Sequence, residues 1–374
     1  MRRTLLITND FPPRAGGIQS YVQSLAERLP AADLVVYAPA WGGATEFDAA
    51  QPFPIYRHPG QLMLPVPSVR RRAAELVRDH NIRAVWYGAA APLGLLTPAL
   101  RAHGVCRTVA STHGHEVGWS MVPGARGALR RIGSTNDVIT FVSQYARRRI
   151  SSALGPAAAL EYLPPGVRID TFRPDPVARR LVRSQYGLGE SPVVLSVSRL
   201  VTRKGQDSLI RATPQIVSRI PQAKVLIVGD GPDGPRLRGL VDTLDLRAHV
   251  VFAGNIPWAQ LPGHYAAGDV FAMPCRTRGS GLDVEGLGIV FLEAAASGLP
   301  VIAGRSGGAP ETVQPGRTGS VVDGRDVQGV ADAVTDLLSD RTTAAQWGAN
   351  GRAWVGRTWN WDRSAERLAA LLAG

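Results

Sequence analysis

The sequence predicts an α/β protein made of two doubly wound, Rossmann-like parallel-sheet domains facing each other across a cleft. Three observations carry that expectation. Apolar bursts of four to eight residues alternate with helix-like periodic segments along the whole length. The alternation stops at a Pro-rich stretch spanning 162–176 and then restarts. Finally, 374 residues is about the chain length of two domains. Composition agrees: with 45% hydrophobic and 19% charged residues, a disordered, collagen-like or coiled-coil chain is excluded.

In the first half, strands are expected at 5–8, 34–37, 84–87, 108–112, 138–141 and 160–162, with helices between them. After the linker they are expected at 193–197, 224–228, 250–252, 270–273, 301–303 and 320–322. The division is therefore 1–165 and 166–357. A helical tail over 358–374 has Trp359, Leu368, Leu371 and Leu372 as packing positions. No apolar run approaches the ~18 residues of a membrane-spanning helix. The N-terminus passes from Leu5-Leu6-Ile7 straight to Asn9-Asp10, without a signal-peptide core, so the expected location is the cytoplasm. Cys106 and Cys275 lie in no CxxC or His/Cys cluster, which argues against a disulfide framework and against zinc.

The net charge is +12, and the front carries most of it: residues 1–165 hold 18 basic against 10 acidic residues. A basic face suits nucleic acid, anionic lipid or a phosphorylated substrate, and composition does not choose among them. Helix-turn-helix, RNP and zinc-finger signatures are missing, and the aromatics are not interleaved with the arginine runs, so a nucleic-acid partner is not expected. Of 42 basic residues only Lys204 and Lys224 are lysine. In a chain that uses Arg almost everywhere, a lysine at a strand end is informative.

Doubly wound domains bind ligands at the carboxyl ends of their strands, so function is sought in the loops that follow them. After the first strand, Gly16-Gly17 opens a helix and lets a ligand approach free amides, although the same pair also suits a plain chain turn. It is not the G-x-G-x-x-G dinucleotide fingerprint. Arg199 and Lys204 leave the first strand of the second domain and offer a fork and a point charge to one diphosphate. The densest stretch is 273–293. There Glu285 in a glycine-rich loop can accept from sugar hydroxyls, the amides around Gly288, Ile289 and Val290 open a helix, and Glu293 can accept from ribose hydroxyls. Two acids eight residues apart, ~12 Å if helical, do not make a retaining glycosidase pair at ~5 Å.

His113-Gly114-His115-Glu116 follows another strand and is expected to donate a hydrogen bond from His113 to a sugar hydroxyl or a developing charge. Its H-x-H-E spacing lacks a third cluster to complete a metal site. An apolar loop at 62–69 runs into Arg70-Arg71-Arg72, a pattern that suits an anionic lipid surface and equally suits core packing with solvated arginines. A non-catalytic lipid-surface protein is thus the competing class.

Taken together, the Gly16-Gly17 loop, the Arg199 and Lys204 pair, and Glu285-x7-Glu293 resemble the retaining glycosyltransferases of family 4, which have the GT-B fold. Residues 112–119 and 273–278 resemble, more narrowly, the branch of that family that extends phosphatidylinositol mannosides. The resemblance implies GDP-mannose as donor, a mannosylated phosphatidylinositol as acceptor and a new α-(1→6) bond, made at the inner face of the plasma membrane. It also implies that Arg199 and Lys204 hold the diphosphate, Glu293 the ribose and the backbone near Ile256 the base. The donor site would include Gly286 and Leu287, Glu285 and His113 would line the mannose pocket, and the tail helix would return to the first domain. No cofactor is implied, and without an Asp-x-Asp motif no essential metal is expected. Another sugar nucleotide or acceptor remains the alternative within the family.

Overall fold

Runs such as Leu5-Leu6-Ile7 and Val225-Leu226-Ile227-Val228 carry no polar alternation, because a strand in a parallel sheet is covered on both faces by helices. All seven of these residues are essentially inaccessible. The computed structural model describes residues 1–14 and 16–374. Its first sheet contains β1 (Thr4–Ile7), β2 (Leu34–Pro39), β3 (Ile55–His58), β4 (Ala84–Tyr87), β5 (Arg107–Thr112), β6 (Val138–Phe141) and β7 (Ala159–Tyr162). Their order is β3-β2-β1-β4-β5-β6-β7, with every neighbouring pair parallel.

β3 is the strand that the pattern did not predict. Its residues, Ile-Tyr-Arg-His, are all half-buried, because it lies at the sheet edge. An edge strand keeps polar side chains, so it lacks the apolar burst that marks its neighbours.

The second sheet contains β8 (Val193–Val197), β9 (Lys224–Val228), β10 (Val250–Gly254), β11 (Val270–Met273), β12 (Val301–Gly304) and β13 (Gly319–Val322), ordered β10-β9-β8-β11-β12-β13 and again parallel. In both sheets the order reverses beside the first strand, between β1 and β4 and between β8 and β11. Loops leaving such a switch point diverge to opposite faces and open a crevice at the strand ends. The loops carrying Gly16-Gly17, Lys204 and Glu285 all leave strands that flank a switch point.

The chain divides into one compact unit of Met1–Gly166 with Trp361–Gly374 and another of Val167–Asn360. Helical periodicity near the end belongs to two helices rather than one. Arg341–Thr358 stays in the second unit, where the Trp359 carbonyl accepts from Val167 N–H at 3.0 Å, so Trp359 packs there. Trp361–Ala373 belongs to the first unit. It lays the Trp361 ring edge-on to Tyr21 at 5.7 Å, pairs Asp362 with Arg28 at 2.8 Å and takes an Arg107 Nε hydrogen bond on the Leu371 carbonyl. Leu368 and Leu372 are fully buried.

Candidate active site

In the second unit β8 ends at Val197, and the chain passes Arg199 and a short turn over Thr202–Lys204 before the helix Gln206–Arg219. Gly205 joins turn to helix at φ 80°, and a Cβ there would lie 2.0 Å from the Pro274 carbonyl oxygen. Only glycine lets this loop touch the one after β11. The two loops are then tied together. Arg276 N–H donates to the Arg203 carbonyl at 2.8 Å, and the Arg276 guanidinium forks onto both Asp207 oxygens at 2.8 Å. Burial opposes the Asp207 charge, but Arg276 and Arg236 outweigh it and hold the carboxyl below its ordinary range.

Lys204 and Glu285, which the sequence placed in separate motifs, meet at 2.7 Å from Nζ to Oε2. Their side chains are 11% and 8% exposed, so neither charge is left in water and each depends on the other. Arg203 stands behind them, with Nε 3.8 Å from the same Glu285 oxygen and a terminal nitrogen 3.5 Å from Asp283. Arg199 is exposed and has no acidic partner among the described residues. The Glu285 main chain is fixed from β12: its N–H donates to Ser306 Oγ at 3.3 Å and its carbonyl accepts from Gly308 N–H at 2.9 Å. Gly307 passes so close, at φ 56°, that a Cβ would sit 1.7 Å from the Glu285 carbonyl oxygen.

From Glu285 the chain runs through Gly286, Leu287 and Gly288 into the helix Ile289–Ala296. Helical rise therefore does not set the spacing of the two acids, because the helix begins only four residues before Glu293. No side chain caps this helix, and the N–H groups of Ile289 and Val290 have no acceptor among the described residues. Uncapped amides at a helix N-terminus receive anions. Glu293, one turn further, accepts the Tyr265 hydroxyl on Oε2 at 2.7 Å. Enclosure by protein pushes its carboxyl from 4.5 up to about 7, against the opposing effect of that hydrogen bond. Ile256 is half-buried two residues beyond β10, and its main-chain groups have no partner among the described residues.

In the first unit Gly16 precedes the helix Gly17–Ala26, again without a side-chain cap. A Cβ on Gly17 would meet nothing within 4 Å. His113 follows β5 and corrects its expected role. Its Nε2 lies 2.6 Å from the Gly88 carbonyl, and Tyr21 abuts the ring at 4.9 Å. Burial lowers its pKa, so the neutral ring donates Nε2–H to Gly88 and offers Nδ1 as an acceptor, not a donor.

Glu116 also departs from a metal-ligand reading. Fully buried, it accepts the N–H groups of His113 and Gly114 on Oε2 at 3.0 and 3.1 Å and thereby shapes the loop that presents His113. Among the described residues no group of three or more His, Cys, Asp or Glu side chains is placed to hold a metal ion.

Arg70 and Arg71 are exposed, whereas Arg72 pairs with Glu75 at 3.0 Å and covers the Tyr56 ring at 5.3 Å. Beside them Leu62, Leu64 and Val66 are 60%, 45% and 42% exposed.

Sequence reasoning passed over Arg203, Tyr265 and the loop Ser306-Gly307-Gly308. The last had a readable signal, a Gly-Gly pair in the loop that follows a strand. The others did not, because their roles depend on partners far along the chain.

Residues 15–171 match the family model described as Glycosyltransferase Family 4, and residues 179–354 match the one described as Glycosyl transferases group 1. A relative from Mycolicibacterium smegmatis, named GDP-mannose-dependent alpha-(1-6)-phosphatidylinositol monomannoside mannosyltransferase, is 57% identical over 99% of this chain and 98% of its own. The chain belongs to glycosyltransferase family 4. Another relative, from Corynebacterium glutamicum and named for the monoacylated form of that acceptor, is 47% identical over 99% of this chain and 98% of its own.

Among solved structures, Anabaena HepE in complex with UDP superposes with a TM-score of 0.84 at 21% identity, covering 99% of both chains. Sucrose-phosphate synthase from Thermosynechococcus elongatus gives 0.84 at 24%, covering 99% of this chain and 98% of that one. These likenesses establish the GT-B fold, with two Rossmann-like parallel-sheet domains.

Proposed function

We propose that this glycosyltransferase moves mannose from GDP-mannose to a phosphatidylinositol mannoside, with retention, making an α-(1→6)-linked dimannoside. Full-length identity of 57% to relatives so named supports donor and acceptor. The single observation that carries the chemistry is the second unit's switch-point cluster: a buried Lys204 against Glu285, an exposed Arg199, and an uncapped helix entrance.

In this reading Arg199, Lys204 and the Ile289 and Val290 amides receive the diphosphate. Gly286, Leu287 and Gly288 let it approach the backbone. Glu293 accepts from the ribose and the Ile256 main chain from the base. Glu285, partnered by Lys204 before the donor arrives, is assigned to the mannose, as is the Nδ1 acceptor of His113. Gly16 and Gly17 offer phosphate-binding amides on the first unit.

The C1–O bond to diphosphate breaks as charge builds on the leaving oxygen, and the cations and amides stabilise that charge. The acceptor hydroxyl attacks from the same face, and its proton passes to the departing phosphate. Charge compensation is assigned to these groups without a metal, and the reaction is expected to persist in chelator.

No helix among the described residues is long and apolar enough to cross a membrane. Exposed Leu62, Leu64 and Val66 next to Arg70 and Arg71 support peripheral attachment to an anionic inner leaflet. The deciding experiment is a thermal-shift screen with GDP-, UDP- and ADP-sugars, followed by transfer from radiolabelled GDP-mannose to mannosylated phosphatidylinositol. Selective stabilisation by GDP-mannose and a labelled dimannoside are expected. Stabilisation by another nucleotide sugar reassigns the donor, and binding without transfer leaves a lipid-surface protein.

A further inference from the structure

Tyr265 belongs to the helix Leu261–Ala267 and has no solvent exposure. Its ring stacks on Phe271, with centroids 5.9 Å apart and planes 28° apart, and meets Phe172 edge-on at 5.4 Å. A ring held on two sides leaves its hydroxyl one place to be, and that place is 2.7 Å from Glu293 Oε2. Burial, reinforced by the neighbouring carboxylate, raises the phenol pKa well above 10, so the hydroxyl keeps its proton and always donates. The other oxygen, Oε1, has no hydrogen-bond partner among the described residues.

We propose that Tyr265 is a positioning residue: it anchors one oxygen of Glu293 and leaves the other aimed at the ribose hydroxyls of the nucleotide sugar. The proposal rests on the reading of Glu293 as the ribose acceptor. A glutamate has three rotatable bonds, and fixing it before the ligand arrives removes an ordering cost from binding. Ribose contacts are remote from the breaking bond. Their loss weakens the ground state and the transition state equally, which raises KM and spares kcat.

The test compares Tyr265→Phe and Glu293→Gln in the full-length enzyme. It measures kcat and KM for GDP-mannose, and inhibition by GDP, 2′-deoxy-GDP and 3′-deoxy-GDP. Tyr265→Phe is expected to raise KM about 3- to 10-fold, the worth of one hydrogen bond, with kcat within about two-fold. It should also shrink the penalty that the deoxynucleotides suffer against GDP. A wild-type KM and an unchanged deoxy penalty in Tyr265→Phe, with the penalty lost in Glu293→Gln, overturn the role of Tyr265 alone. A full deoxy penalty retained in Glu293→Gln overturns the ribose reading and this proposal with it.

Should Tyr265→Phe not fold, Tyr265→Phe/Glu293→Leu removes donor and acceptor together and is compared with Glu293→Leu. Equal KM values support action through Glu293. A further rise of three-fold or more in the double variant overturns it.

Discussion

Lys204 is one of two lysines among 42 basic residues, and it is the one that lies within 2.7 Å of Glu285. Replacing it with alanine removes the point charge assigned to the diphosphate and leaves Glu285 buried without its closest cation. Steady-state transfer by Lys204→Ala is expected to lose about 10²- to 10³-fold in kcat, the usual loss for one charge-stabilising donor. Glu293 yields a pH prediction of definite sign. Its carboxyl sits at about 7 in the folded protein against an ordinary 4.5, so the folded state holds an extra proton between those values. Stability without nucleotide therefore declines as pH rises from 4.5 to about 7, and above that the ionised carboxylate is the better acceptor for ribose. Donor KM is expected to fall as pH rises through 7, and Glu293→Gln should flatten both profiles in melting and kinetic titrations.

The loops after β8, β11 and β12 act as one block, tied by Arg276 to Arg203 and Asp207 and by Gly308 to Glu285. Gly307 permits the closest approach, so Gly307→Ala must displace either its own loop or the Glu285 carbonyl. Calorimetry is expected to register about 1–3 kcal/mol of lost stability for this backbone strain, together with a fall in kcat that tracks the moved carboxylate. At this scale the sequence was most readable where burial was complete. The four inner strands of the second sheet were legible because covered parallel strands are written in Val, Leu, Ile and Ala, and its half-buried edge strands β10 and β13 were legible because Val-Val-Phe and Val-Val keep their apolar runs unbroken. β3 was not, because an edge position tolerates the Arg and His that interrupt its apolar run. Strand-end motifs such as Gly16-Gly17, Lys204 and Glu285-x7-Glu293 were legible from glycine and charge placed together, whereas Tyr265 in mid-helix looks like any packing aromatic.

Over the whole molecule, the first unit gains its last helix from the far end of the chain. Trp361 is 6% exposed and packs on Tyr21, which in turn abuts the His113 ring. Trp361→Ala is expected to cost about 3–5 kcal/mol by leaving a cavity there, read as a lower midpoint in denaturant unfolding. The excess of basic residues in the first 165 positions, with Arg70 and Arg71 exposed beside Leu62, Leu64 and Val66, predicts binding to anionic vesicles that weakens as salt is raised. Unchanged co-sedimentation with neutral vesicles at high salt would contradict that electrostatic attachment.

The sequence by itself determined the class of fold, the two-domain plan and most of the groups at strand ends, because periodicity, glycine and isolated charge are local properties of a chain. Tertiary structure alone decided that Lys204 faces Glu285 before any donor binds, that His113 accepts rather than donates, and that Tyr265 holds Glu293. Each of these depends on which residues meet across tens of positions. Hydrogen-bond direction and the protonation of a buried group are set by those neighbours, and no local pattern records them.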